Sequence, residues 1–139
     1  MNRRDLLKSA AALSALAALP LMVRSVSAAG VVDYTPGAID TALARGETLF
    51  VDYSARWCGT CARQERVITS LREANPAYNN AMTFIRVDWD QWGRHEVTTS
   101  RSIPRRSTLL VLRGDAELGR IVAGTSEAQI KSLMDLGLS

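Results

Sequence analysis

The strongest constraint on this chain is a pair of cysteines three residues apart, set where one hydrophobic pattern gives way to another. Cys58 and Cys61 are the only two cysteines among 139 residues. Before them, Thr48–Ser54 is an apolar run of strand length, the pattern of a central strand buried on both faces. After them, Gly59–Ala74 carries Val67, Ile68 and Leu71 at helical spacing, and Asn75-Pro76 ends that helix. The pair therefore belongs at a strand-to-helix handover. On the first turn of a helix, sulfurs at i and i+3 can reach each other. A helix start also offers unpaired N–H groups and the positive end of the helix dipole, which favour thiolate. Thiolate is the attacking species in disulfide exchange. Cys58 is expected to be the exposed nucleophile, and Cys61, one turn in, the resolving thiol. So close a pair cannot staple distant segments, which excludes a disulfide scaffold. With one histidine, a conventional four-ligand zinc site of Cys and His lacks ligands.

The remaining pattern alternates. Residues 35–37 open a helix running to Arg45, with Ile39, Ala42 and Leu43 on one face. Residues 82–88 alternate as a strand. A short helix is expected over 96–102. Residues 108–112 form a strand, Gly114-Asp115 supplies turn chemistry, and 118–123 is the hairpin partner. Ser126 with Gln129 marks a capping-box start for a last helix to Leu136. Residues 31–34 are a candidate edge strand. This order implies an α/β fold, a central mixed sheet of four to five strands with helices on both faces.

Residues 1–28 read as an export address rather than as structure. A basic segment, Asn2-Arg3-Arg4-Asp5-Leu6-Leu7-Lys8, precedes an apolar run from Ser9 to Val23. Small residues Val26-Ser27-Ala28 then precede a cut expected after Ala28, leaving a mature domain of 29–139. The paired arginines resemble a twin-arginine (Tat) signal. About 15 apolar residues fall short of the roughly 20 that a membrane span needs; the alternative is an uncleaved anchor. Either way the domain is expected to face the periplasm or the outside. From Ala29 onward 13 basic residues balance 13 acidic ones, so the overall basicity is no footprint for nucleic acid.

The segment Phe50-Val51-Asp52-Tyr53-Ser54-Ala55-Arg56-Trp57-Cys58-Gly59-Thr60-Cys61 resembles the active-site segment of the thioredoxin-like superfamily. With the element order above, the resemblance extends over residues 31–138. It implies a thioredoxin fold with Cys58 and Cys61 as the redox pair. It also implies that Asp52 is the buried acid beneath them, able to take a proton from Cys61, and that Trp57 is the aromatic beside them. Spacing from the 82–88 strand to Thr108 is similar to that in the C-terminal domain of the periplasmic Dsb reductant-transfer protein. Two departures stand out. Thr60 replaces the usual proline after Gly59 in the dipeptide that tunes reduction potential. Ser107 falls where the family places a cis-proline, if Thr108 opens the next strand; Pro104 is the competing candidate and would need a three-residue insertion. A cis bond before a non-proline costs about 3–4 kcal/mol, so Arg106–Ser107 is expected to be trans. Ser107 then brings a hydroxyl near the sulfurs, and Arg106 is expected close to Cys58, favouring acidic partners. Trp89, Trp92 and His95 form either a partner surface or a satellite core.

Two functions fit these residues. The first is a periplasmic thiol–disulfide oxidoreductase that reduces or isomerises protein disulfides, with Trp57, Gly59, Thr60, Arg106 and Ser107 around the substrate. It needs no cofactor or resident metal, and takes electrons from a Dsb-type membrane thiol donor. The second is a dithiol metal carrier or thiol chaperone on the same fold.

Overall fold

The computed structural model describes residues 30–139, so the export segment and its cleavage point lie outside the described residues. Strand β1 (Val32–Asp33) is followed by α1 (Ala38–Ala44), β2 (Thr48–Ser54), α2 (Gly59–Ala74), α3 (Ala77–Ala81) and β3 (Thr83–Asp88). Then come α4 (Trp89–Trp92), α5 (Glu96–Thr99), β4 (Thr108–Arg113), β5 (Ala116–Val122) and α6 (Glu127–Leu136). One five-stranded sheet has the order β1-β3-β2-β4-β5. Its β1–β3 and β2–β3 pairs are parallel, and β2–β4 and β4–β5 are antiparallel. The apolar run of β2 lies at the centre because its backbone is paired on both edges and its side chains are covered on both faces.

Alternation along β2 sends successive residues to opposite cores. On one face, Val51 and Tyr53 pack with Ile39 and Ala42 of α1 and with Val97 and Ile103. On the other, Phe50 packs with Ile68 and Leu71 of α2, Tyr78 of α3 and Ile130, Leu133 and Met134 of α6. Burying one such aliphatic or aromatic side chain contributes about 1.5–3 kcal/mol. The stripe of α2 that meets the sheet is Cys61, Gln64, Ile68 and Leu71. Packing against β2 and β3 therefore fixes the rotation of α2 and, with it, the positions of both cysteines.

Three local features differ from the pattern reading. Pro76 ends α2 and also starts α3, because its φ of −59° already suits a helix start. The segment after β3 begins with α4, whose first turn is capped by the Asp88 carboxylate accepting from the Asp90 N–H at 3.0 Å. The helix expected over 96–102 stops at Thr99, and Ser102 takes a left-handed φ of 52°. The cap of α6 is as expected: the Ser126 hydroxyl accepts from the Gln129 N–H.

Candidate active site

Cys58 is the N-cap of α2. Its backbone is extended (φ −87°, ψ 112°), and its sulfur accepts from the Cys61 N–H at 3.2 Å. One of the orphan donors of the helix start thus points at this sulfur. The two cysteines are joined as a disulfide across a Cα–Cα distance of 5.3 Å, within the ordinary span for such a bridge.

In this bridged state Cys58 is not the exposed sulfur expected from sequence. It is 4% accessible and Cys61 2%. The reason is local cover: the pair packs with Ala55 and with Trp89 from α4, and Ser107 closes over both sulfurs. The expected asymmetry survives in another form. Cys58 lines a polar cleft of about 300 Å³, together with Asp33, Tyr34, Arg56, Arg86 and Asp88, and Cys61 does not.

Ser107, not Pro104, is the residue beside the cysteines. Its hydroxyl oxygen is 3.2 Å from Cys58 Sγ and 3.1 Å from Cys61 Sγ. Pro104 is exposed. No peptide bond among the described residues is cis, so Arg106–Ser107 is trans, as expected, and Ser107 takes a left-handed φ of 63°. Left-handed backbone disfavours non-glycine residues by roughly 1–2 kcal/mol. Three hydrogen bonds hold this conformation. The Ser107 N–H donates to the Tyr53 carbonyl at 2.7 Å. Its carbonyl accepts from the Ala123 N–H at 2.8 Å and from Gln64 Nε2 at 3.0 Å.

Asp52 lies two residues from the end of β2 and is buried. Its Oδ1 has no hydrogen-bond partner. It borders a cavity of about 30 Å³ under α2, lined also by Phe50, Glu65, Ile68 and Arg86. A cavity of that size has room for water beside a polar group. Burial pushes its carboxyl up to about 7; Arg86 pulls the other way and Glu65 adds to the rise. An acid near 7 can both take and return a proton at ordinary pH.

Trp57 is 60% exposed at the rim. Its indole N–H donates to both Asp90 carboxylate oxygens at 3.0 Å. The Arg106 guanidinium stacks over its ring, 4.3 Å from the centroid. Arg106 is expected close to Cys58; its guanidinium stacks on the indole of Trp57, the residue before Cys58, where the ring face attracts a cation. Its Nε is buried without a partner. Gly59 and Thr60 form the first turn of α2, with Gly59 exposed and Thr60 half-buried. Trp89 and Trp92 pack against the core, and His95 caps α5 through Nδ1 and meets the Trp92 ring at 5.0 Å, the satellite-core alternative.

Two contributors escaped the sequence reading. Gln64 is fully buried and ties Ser107 to Gly124, donating to both carbonyls at 3.0 and 2.9 Å. Its signal was present: it is the one amide in the inward stripe of α2. Asp90, the Trp57 partner, had no signal, because its role depends on how α4 lies against the start of α2. For metal, the described residues contain no group of three His, Cys, Asp or Glu side chains. The third group beside the sulfurs is a serine hydroxyl.

Residues 31–135 match the thioredoxin-like family model, and residues 1–20 match the twin-arginine translocation signal sequence. Thioredoxin-2 of Saccharomyces cerevisiae is 33% identical over 93 residues, covering 66% of this chain and 83% of its own length. Thioredoxin 1 of Plasmodium falciparum is 28% identical over 96 residues, 69% of this chain and 86% of its own. Among solved structures, Trxlp from Edwardsiella tarda is similar with a TM-score of 0.65 and 31% identity, over 75% of this chain and 98% of that one. Oxidised thioredoxin from Plasmodium falciparum gives a TM-score of 0.62 at 25% identity, over 79% and 100%.

Proposed function

This chain belongs to the thioredoxin-like family, and from that premise we propose that it reduces or isomerises protein disulfides in the periplasm through Cys58 and Cys61. Like its relatives it is a thiol–disulfide oxidoreductase. The observation that carries the reading is the bridged pair at the start of α2, with the Cys58 sulfur receiving a backbone N–H and reaching a cleft.

The reaction runs in two exchanges. Reduced Cys58, as thiolate, attacks one sulfur of a target disulfide; a Cys58–target bond forms and the other target sulfur leaves as thiolate. Cys61 then gives its proton to Asp52 and attacks Cys58 Sγ. The internal disulfide forms and the second target sulfur leaves, so two electrons pass from the dithiol to the target. Isomerisation is the first exchange followed by attack from another target thiol. Trp57, Gly59, Thr60 and Arg106 form the rim where substrate lies, and Ser107 is buried against the sulfurs beneath it.

The twin-arginine signal directs export. We place the mature domain, residues 29–139 after removal of 1–28, in the periplasm. Because that compartment is oxidising, the dithiol is regenerated by a membrane thiol donor of the Dsb type.

Reduction of insulin disulfides by the mature domain, compared with its Cys58→Ser variant, tests the chemistry. Turnover is expected from the first and none above background from the second; equal rates would overturn the assignment. Equilibration with glutathione tests the direction. A potential below that of glutathione supports a reductant, and one as oxidising as about −120 mV would overturn it in favour of a net oxidant.

A further inference from the structure

Ser107 meets both sulfurs at once. Its hydroxyl has a single proton and lies 3.2 Å from Cys58 Sγ and 3.1 Å from Cys61 Sγ, at a fully buried position. Rotation about one bond therefore lets the hydroxyl face either sulfur. The residue is held in place by its backbone alone: N–H to Tyr53, carbonyl to Ala123 and to Gln64. Its φ of 63° is one that glycine would adopt freely. A side chain here works against the local backbone preference, and the contact made by this side chain is with the two reacting atoms.

We propose that the Ser107 hydroxyl is a catalytic hydrogen-bond donor that the two sulfurs use in turn, with Gln64 as the positioning residue that aims it. The proposal rests on the dithiol exchange described above and adds a third chemical group to it. In the reduced protein the hydroxyl donates to the Cys58 thiolate. Once Cys58 is bonded to the target, its charge is gone, and the hydroxyl turns to Cys61 as that thiol loses its proton. After the internal disulfide forms, neither sulfur is charged and the bond weakens. A hydrogen bond to an ionised partner is roughly twice as strong as one between neutral groups. The hydroxyl therefore stabilises the reduced, ionised dithiol more than the disulfide, and Ser107 makes the protein more oxidising than it would be without it.

The sign follows directly. Ser107→Ala and Ser107→Gly each remove the donor, and the thiolate titration midpoint of Cys58, followed by ultraviolet absorbance, rises by about one pH unit. The dithiol–disulfide equilibrium with glutathione moves about tenfold toward disulfide, about 30 mV more reducing. Ser107→Gly keeps the test free of folding failure, since glycine takes this φ without strain. Gln64→Leu moves both in the alanine direction by less. Unchanged midpoint and potential in both the alanine and glycine variants, or a shift of opposite sign, would overturn the role of Ser107 while leaving disulfide exchange intact. Persistent exchange in Cys58→Ser would instead remove the premise.

Discussion

Ser107 and Asp52 are two buried polar positions built on opposite principles. Ser107 has its N–H, its carbonyl and its hydroxyl all engaged. Asp52 has a carboxylate oxygen with no partner and a carboxyl pushed up to about 7 by burial. In the bridged protein, where neither sulfur titrates, the satisfied serine fixes geometry and is indifferent to pH. An unsatisfied acid is costly to ionise and so responds to pH near neutrality. The contrast separates a hydroxyl held against the sulfurs from a carboxyl that exchanges its proton near neutral pH.

The largest expected effect comes from the unsatisfied side. The folded state holds the Asp52 proton up to about 7, whereas an unfolded Asp releases it near 4. Stability contributed by the protonated form is therefore present below about 4 and is lost as pH rises toward 7. Asp52→Asn removes this loss. Denaturant unfolding should show the variant more stable than the wild type by on the order of 2–4 kcal/mol at pH 8 and little changed at pH 4. Parallel stability profiles for the two proteins would erase the distinction between the positions. The same variant should slow the second exchange, seen as accumulation of the mixed disulfide.

The satisfied side should behave differently. Gln64→Leu removes two hydrogen bonds, to Ser107 and Gly124, but also removes an unpaired amide oxygen. A loss of about 1 kcal/mol is expected in the bridged protein, equal at pH 5 and pH 8. A loss that changes with pH would mean that the two positions are coupled and not independent.

The smallest effect belongs to the rim. Arg106 is half-buried and lies over Trp57, so its charge is partly screened by solvent. Arg106→Ala should leave global stability within about 1 kcal/mol. It should reduce the reduction rate of acidic target peptides, measured at low salt, several-fold more than that of neutral ones. Equal reduction for both peptide classes would remove Arg106 as a selector of charge.

Much of this arrangement was legible in the chain. The run of β2, the inward stripe of α2 and the cap of α6 are local patterns, and a strand or helix reports its own period. The Cys58–Cys61 contact was legible because it spans a single helical turn. Asp52 could be read as buried because it interrupts an otherwise apolar central strand. Arg106 was less accessible: that its guanidinium stacks on the indole of Trp57 depends on two segments, 49 positions apart, meeting in space. The cover over Cys58 is not legible in the chain for the same reason, since Trp89 and Ser107 reach it from distant segments. α3 and α4 are too short for periodicity to announce them.

By itself the sequence determined the sheet-and-helix order, the strand-to-helix junction that carries two sulfurs, and the balanced charge of residues 29–139. Those follow from spacing along the chain, which folding does not alter. Only the tertiary structure decided that Gln64 secures Ser107 and that Cys58 is covered in the bridged state. The Gln64–Ser107 and Cys58–Ser107 contacts join residues 43 and 49 positions apart, and their distances exist only after the sheet and α2 have packed.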